Sequence, residues 1–131
     1  MKLYIAVLDE VPNHMVPVLV AHTMLGADTY FRREYVHHVS DYPEVESINP
    51  FASYFEWKKD SFKKCVVRVN KKEFDKVISI PYTYTGYENT VLAGISSCAI
   101  PLPCKKEGIP NVLKFAKLWS RGSPFLTFLR R

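Results

Sequence analysis

The run from Leu3 to Leu8 is apolar at nearly every position, and it constrains the fold more than any other feature of the chain. A half-exposed strand alternates apolar and polar residues, whereas a strand covered on both faces is apolar throughout. We therefore expect an interior strand at residues 3 to 8. Pro17 is tolerated in the first turn of a helix, which predicts that a helix begins between Asn13 and Val16. Gly26 predicts the end of this helix or a bend in it.

Further helices and strands alternate along the chain. Residues 53 to 59 favour the end of a helix, and residues 65 to 69 favour a β-rich strand. Asn70 followed by Glu73 is a capping box, which predicts a helix to about Ser79. Two strands, at residues 82 to 85 and 97 to 102, flank a loop from Gly86 to Gly94. Pro110 opens a last helix, whose apolar positions at helical spacing are Val112, Phe115, Ala116 and Trp119.

This order predicts an α/β fold with a single three-layer domain. Helices between strands imply crossover connections, so we expect a mixed, mostly parallel sheet of about four strands with helices on both faces. The domain spans residues 1–119, with an excursion at 28–52 that holds a helical turn or strand at 30–36 and an acidic loop at 41–50. The tail, residues 120–131, carries four large apolar residues, which predicts docking on the body or a homodimer.

Composition removes several classes of function. No run reaches the roughly 18 apolar residues of a membrane span, and the start of the chain lacks a signal-peptide pattern, so we expect a cytoplasmic protein without membrane contact. Cys65, Cys98 and Cys104 are an odd set, which indicates free thiols in a reducing compartment. The glycines are scattered, so no nucleotide cofactor is expected. We expect no metal site, because no cysteine joins a tight pair and His37 and His38 are adjacent.

Charge is divided unequally along the chain. Residues 1–56 carry 3 Lys/Arg against 8 Asp/Glu, whereas residues 57–131 carry 15 against 5. A basic half of this strength suits a phosphate backbone, because each neutralised phosphate releases a counterion. This balance predicts tRNA or another RNA as a partner. The alternative is that the lysines solvate helix faces.

His22 is the strongest candidate for chemistry. It lies one to two turns into the helix that directly follows the first strand, where many α/β folds assemble their sites. Its imidazole can titrate near neutral pH and act as an acid or base. The alternative is a histidine that serves packing at the edge of the core.

Several segments, taken in order, resemble the peptidyl-tRNA hydrolases of the archaeal and eukaryotic type. Residues 17–22, Pro-Val-Leu-Val-Ala-His, are similar to that family's Ala-Ala-Gln-x-Ala-His. Trp57 and residues 62–69, Phe-Lys-Lys-Cys-Val-Val-Arg-Val, resemble its Trp, Phe-Lys-Lys and second strand. Residues 73–77 resemble the helix that follows. Residues 94–103, after small shifts, are similar to the family's Gly-Thr-Val-Thr-x-x-x-Ile-Gly-Pro strand, and Leu118 with Trp119 resembles the end of its final helix.

The chain also departs from the family's pattern. A Gly-Lys-Gly-Lys run precedes the family's histidine helix, whereas residues 12–16 hold no lysine and His14 is the partial substitute. The family's Asp-Ala-Gly-x-Thr motif falls on residues 85–90, where no aspartate remains. The resemblance implies His22 as general base or water orienter, with Glu88, Asn89 and Thr90 steering the attacked group. The residues expected to hold the RNA backbone are Lys63, Lys64, Lys71 and Lys72.

Three functions follow as alternatives. The first is hydrolysis of an ester bond on peptidyl- or aminoacyl-tRNA, because an oriented water and hydrogen-bond donors are what this reaction needs. The second keeps the fold and the basic half without the chemistry, as a protein that binds RNA or a nucleotide ligand. The third is a protein-interaction module that uses the acidic excursion and the apolar tail.

Overall fold

The computed structural model describes residues 1–41 and 49–120. It contains the strands β1 (Lys2–Leu8), β2 (Lys63–Val69), β3 (Tyr84–Gly86), β4 (Cys98–Ile100) and β5 (Lys117–Leu118). The helices are α1 (Val16–Asp41), α2 (Ala52–Lys59), α3 (Lys71–Ile78) and α4 (Asn111–Lys114). Three short 3-10 helices lie at Asn13–Met15, Leu92–Gly94 and Lys106–Gly108.

The five strands form one mixed sheet in the order β3-β4-β1-β2-β5. β1 and β2 are parallel, in register from Lys2 opposite Lys63 to Leu8 opposite Val69. The other three pairings are antiparallel. The α/β class is confirmed, but the expectation of about four mostly parallel strands is wrong. β3 returns into β4 without a crossover helix, and a direct return of this kind gives antiparallel neighbours.

β1 is the central strand, as its sequence predicts. Leu3 to Leu8 are all buried, and β1 lies between β2 and β4. α1 covers one face of the sheet, where Val20 and Met24 lie near Ile5 and Val66. Tyr4, Ala6 and Leu8 point to the opposite face and are buried as well, and α3 packs against β1, β2 and β4. The core therefore occupies both sides of β1.

α1 continues through Gly26 as one helix of 26 residues, so the predicted helix end at Gly26 is wrong. A Cβ atom at this position would collide with the Tyr84 hydroxyl and ring of β3. Gly26 therefore allows the helix and the sheet to approach closely, and it does not act as a C-terminal cap.

The expected excursion at residues 28–52 is largely helical where it is described. Residues 28–41 complete α1, and α2 begins at Ala52. Asn49 fixes the approach to α2, since its side-chain amide donates to the Tyr35 carbonyl at 3.2 Å and its Oδ1 accepts from the Phe51 amide at 3.0 Å. Most of the predicted acidic loop at 41–50 lies outside the described residues. So do residues 121–131 of the tail, on which the homodimer prediction rests.

α3 forms as its capping box predicts. The Asn70 side chain accepts from the Glu73 amide at 2.8 Å, and the Glu73 carboxylate accepts from the Asn70 amide at 2.8 Å. Phe74 and Val77 are buried, as their helical spacing indicates. Of the three predicted apolar positions, Ile78 is 39% exposed and contributes least to the core.

The last helix is much shorter than predicted. α4 ends at Lys114, and residues 117 and 118 form β5 beside β2, after which the Trp119 amide donates to the Val66 carbonyl at 2.8 Å. Phe115, an expected core residue, is 75% exposed. The chain leaves the helix because these residues supply backbone partners to the open edge of β2.

Within residues 1–41 and 49–120, no helix is long and apolar enough to cross a bilayer.

Candidate functional site

His22 and Glu88 come together on the surface of α1, although they lie far apart in the sequence. The Nδ1 atom of His22 is 4.0 Å from Oε2 of Glu88, and their side chains are 59% and 23% exposed. This distance is longer than a hydrogen bond, and the two groups form an ion pair only when the imidazole is protonated.

Close packing between α1 and β3 brings the two residues together. Gly86, the last residue of β3, lies against Thr23, and a Cβ atom at position 86 would be 2.5 Å from the Thr23 hydroxyl. Thr23 is buried, and its hydroxyl donates to the Leu19 carbonyl at 2.8 Å. Because Thr23 follows His22 and Glu88 follows Gly86 closely, this contact sets the separation of the pair.

The loop after β3 holds Glu88 in a tight turn. The Val91 amide donates to the Glu88 carbonyl at 2.9 Å, and the buried Val91 side chain anchors the turn. Leu92, Ala93 and Gly94 have φ of 47°, 54° and 78°. Consecutive left-handed residues cost roughly 1–2 kcal/mol each where they carry a side chain. Strain of this kind persists where the surroundings impose it, and it clusters at functional sites.

The other two predicted catalytic residues flank Glu88. The Thr90 hydroxyl lies 3.5 Å from Oε1 of Glu88, the carboxylate oxygen that does not face His22. Asn89 is exposed on the outer side of the turn, where its side-chain oxygen lies near Gly94. The structure thus brings His22, Glu88 and Thr90 into one group and leaves the Asn89 amide beside it.

The predicted RNA-binding lysines are divided between the two ends of β2. Lys63 and Lys64 begin the strand, whereas Lys71 and Lys72 follow its last residue. A seven-residue strand separates these ends by about 20 Å. Lys71 and Lys72 share the carboxyl edge of the β1/β2 pair with His14, which is exposed in the 3-10 helix between β1 and α1.

The same carboxyl edge carries the loop with Glu88. The Leu8 amide at the end of β1 donates to the Ser97 carbonyl at 3.0 Å, and the Ser97 amide donates to the Gly86 carbonyl at 3.1 Å. Lys71 is partly neutralised there, since its ammonium donates to Asp75 at 2.9 Å. Lys72 and His14 are therefore the freer basic groups at this edge.

An arginine that sequence reasoning missed organises this edge. Arg68 donates to the Leu8 carbonyl at 2.7 Å, to the Val11 carbonyl at 2.8 Å and to Oδ1 of Asn13 at 2.6 Å. Asn13 also accepts from the Trp119 indole at 3.2 Å. Burial lowers the Arg68 pKa, an effect that Asp9 opposes. The available signal was a charged residue inside the apolar run of β2.

The cysteine thiols do not form a nucleophilic site. Burial raises the pKa of Cys98 to about 12, although a hydrogen bond with Thr23 acts in the opposite direction. Burial also raises the pKa values of Cys65 and Cys104. A thiol in this state stays protonated at neutral pH and is a poor nucleophile. Among the described residues, no three His, Cys, Asp or Glu side chains come together as metal ligands.

An apolar pocket of about 410 Å³ lies on the other side of α1 from His22. Its lining residues are Ile5, Val20, Met24, Lys64, Cys65, Val66, Leu118 and Trp119. Residues two positions apart on a helix point about 200° away from each other, so His22 and Met24 face opposite directions. The His22 group is thus an open surface site and is separate from this pocket.

No protein-family model matches the chain, and no curated protein matches it in sequence.

Proposed function

We propose that the protein hydrolyses the ester bond of peptidyl- or aminoacyl-tRNA in the cytoplasm, with His22 as the general base. The observation that carries this proposal is the approach of His22 to Glu88. A carboxylate beside Nδ1 favours the tautomer whose proton is on Nδ1, and it stabilises the imidazolium that forms during the reaction. Nε2 is then the atom that faces a water molecule.

The reaction needs one proton transfer in each direction. Nε2 of His22 takes a proton from water as the water oxygen attacks the ester carbonyl carbon, which gives a tetrahedral oxyanion. The oxyanion collapses, the bond to the ribose oxygen breaks, and the imidazolium returns the proton to that oxygen. The products are a free carboxylic acid and the ribose hydroxyl. The Thr90 hydroxyl and the Asn89 amide are the side-chain donors that could stabilise the oxyanion.

The basic groups at the same edge support a polyanionic substrate. Lys71, Lys72 and His14 lie at the same edge of the sheet as the Glu88 loop, where they can contact phosphates on the RNA strand that carries the ester. Lys63 and Lys64 lie at the far end of β2 and would contact a more distant part of the same RNA.

RNA binding without catalysis is the second candidate function, and the exposure of the His22 imidazole favours it. The His22 side chain is 59% exposed, and oxyanion stabilisation is strongest where water is excluded. The lysine run and the aspartate of the hydrolase pattern are also absent from residues 12–16 and 85–90. Under this alternative the same surface would hold tRNA and leave its ester intact.

Deacylation of an N-blocked aminoacyl-tRNA separates the two candidates. We expect His22→Ala to lower the rate by about 10²- to 10⁴-fold, the usual contribution of a general base. Glu88→Gln should lower it less, because it removes only the carboxylate that stabilises the imidazolium. His37→Ala is the matched control, because His37 is an exposed histidine on the same helix.

If the wild-type protein hydrolyses the ester no faster than the spontaneous reaction does, the enzyme proposal is wrong. Filter binding of the same tRNA would then test the alternative. If the wild-type protein retains tRNA, and Lys72→Gln weakens this binding whereas His22→Ala does not, the protein binds tRNA without hydrolysing it.

A further inference from the structure

A second candidate site lies at the amino edge of the β1/β2 pair, opposite the edge that carries His22. It is a pocket of about 260 Å³, and its lining includes three lysines from three separate segments: Lys2 of β1, Lys63 of β2 and Lys106 of the last 3-10 helix. Tyr4 and Cys104 also line it. No carboxylate is among its lining residues.

The register of the sheet forces two of these positive charges together. Lys2 and Lys63 are direct partners across the parallel pair, so their side chains leave the same face of the sheet about 5 Å apart at the backbone. Like charges placed opposite each other on neighbouring strands destabilise a sheet. Lys106 adds a third charge to the same pocket.

Within the described part of the chain, none of these three lysines forms an ion pair. Over residues 1–41 and 49–120, the ion pairs within 4.0 Å involve other cations: His22, Arg32, Arg33, Lys58 and Lys71. The Lys2 ammonium instead lies 5.5 Å from the centre of the Tyr4 ring. Burial, with Cys65 and Cys104 nearby, raises the pKa of Tyr4, so its phenol stays neutral. The pocket therefore retains a positive charge that an anion could balance.

We infer that this pocket binds phosphate groups. Lysine ammonium groups act as point charges that attract phosphate, and three of them around one small concavity match a dianion or a pyrophosphate better than a single carboxylate. The inference does not depend on the proposed hydrolase activity, because about 20 Å of strand separates the pocket from the His22 edge. The phosphate could belong to a small molecule or to an RNA backbone.

Thermal unfolding in the presence of inorganic pyrophosphate tests the inference, with ionic strength held constant by sodium chloride. Binding to the folded state raises the midpoint temperature as ligand concentration rises. We expect this rise for the wild-type protein and for His22→Ala. The double variant Lys2→Gln/Lys63→Gln should lose most of it, and Lys106→Gln should lose part. The matched control is Lys59→Gln/Lys76→Gln, which removes two exposed lysines outside the pocket.

The midpoint temperature measured without pyrophosphate shows whether the double variant still folds. Because the double variant removes a repulsion, its midpoint at low salt should equal or exceed that of the wild-type protein. Filter binding of tRNA by the same variants then identifies the source of the phosphate. If the pocket variants lose the pyrophosphate effect but keep their tRNA affinity, the ligand is a small phosphorylated molecule. If their tRNA affinity falls at least tenfold more than that of the control variant, the pocket binds the RNA backbone. If pocket and control variants behave alike with both probes, the inference is wrong.

Discussion

Two glycines set how closely α1 approaches the sheet. Gly26 meets Tyr84, and Gly86 meets Thr23, so at each contact one partner has no side chain. The first contact was not predictable, because a glycine that admits an aromatic ring and a glycine that ends a helix look alike in a sequence. His22 was predictable as a candidate, since a histidine after a first strand stands out. Its carboxylate partner was named through the resemblance, and the tertiary contact at Gly86 brings the two near each other.

Gly26→Ala should destabilise the protein by about 1 kcal/mol. Alanine favours a helix interior by about 1 kcal/mol over glycine, but overpacking costs about 1–3 kcal/mol, so the clash with Tyr84 outweighs the gain. Urea denaturation measures the difference. In a Tyr84→Leu background the clash disappears, and the same substitution should become stabilising. A Gly26→Ala effect that is equal in both backgrounds would show that Tyr84 is not its cause.

Replacement of alanine by glycine should have opposite effects on stability in the left-handed turn at residues 92–94 and inside α1. Ala93→Gly should stabilise the protein by about 1 kcal/mol, because glycine tolerates a φ of 54° without the steric cost. Ala21→Gly, at an exposed position inside α1, should destabilise it by about the same amount through lost helix propensity. Chemical denaturation of both variants tests this, and two changes of the same sign would contradict it.

At the scale of elements, Asp28 joins α1 to α2. Its carboxylate accepts from the Tyr54 hydroxyl at 2.6 Å and from Lys58 at 3.2 Å, and Arg32 lies 3.1 Å away. Burial acts to raise the Asp28 pKa, but these hydrogen bonds and charges outweigh it, and the net pKa is lowered. Burial and the bond to Asp28 raise the pKa of Tyr54. The contact therefore requires an ionised Asp28 and a neutral Tyr54.

Acid should remove the stabilisation that Asp28 provides. Because the folded-state pKa lies below the unfolded value of 3.8, this stabilisation is complete above the unfolded pKa and is lost as pH falls through the folded pKa. The difference in unfolding free energy between wild type and Asp28→Asn should thus be largest near pH 6 and should shrink below about pH 4. Denaturation at several pH values measures it. A difference that does not change with pH would mean that charge at Asp28 contributes nothing.

The helices and strands that were predicted best are those whose sequence signals lie within the element itself. The two residues of the α3 capping box lie within four positions of each other. The burial of β1 was predictable from the apolar residues of the strand itself. Residues 110–119 have a helical spacing of apolar side chains, yet the open edge of β2 recruits two of them as β5. That outcome depends on backbone groups of a distant strand, which the local pattern does not contain.

At the scale of the molecule, the sheet separates two groups of lysines. The carboxyl edge of the β1/β2 pair holds Lys71 and Lys72, and the amino edge holds Lys2 and Lys63. The count of charges along the chain predicted a basic half but not this division. Strand direction decides it, because residues at opposite ends of one parallel strand must lie at opposite edges. The topology was likewise only partly predictable, since the strand order depends on pairings between distant segments.

The length of α1 has a mechanical consequence for the whole molecule. Its 26 residues extend about 39 Å, whereas the seven-residue strands beneath it extend about 23 Å. The distal part of the helix overhangs the sheet, and its aromatic side chains rest on α2, with the Phe31 and Tyr54 rings 4.9 Å apart. The distal part of α1 is thus connected to the sheet in part through α2, whose Trp57 indole donates to the Lys63 carbonyl of β2 at 2.6 Å.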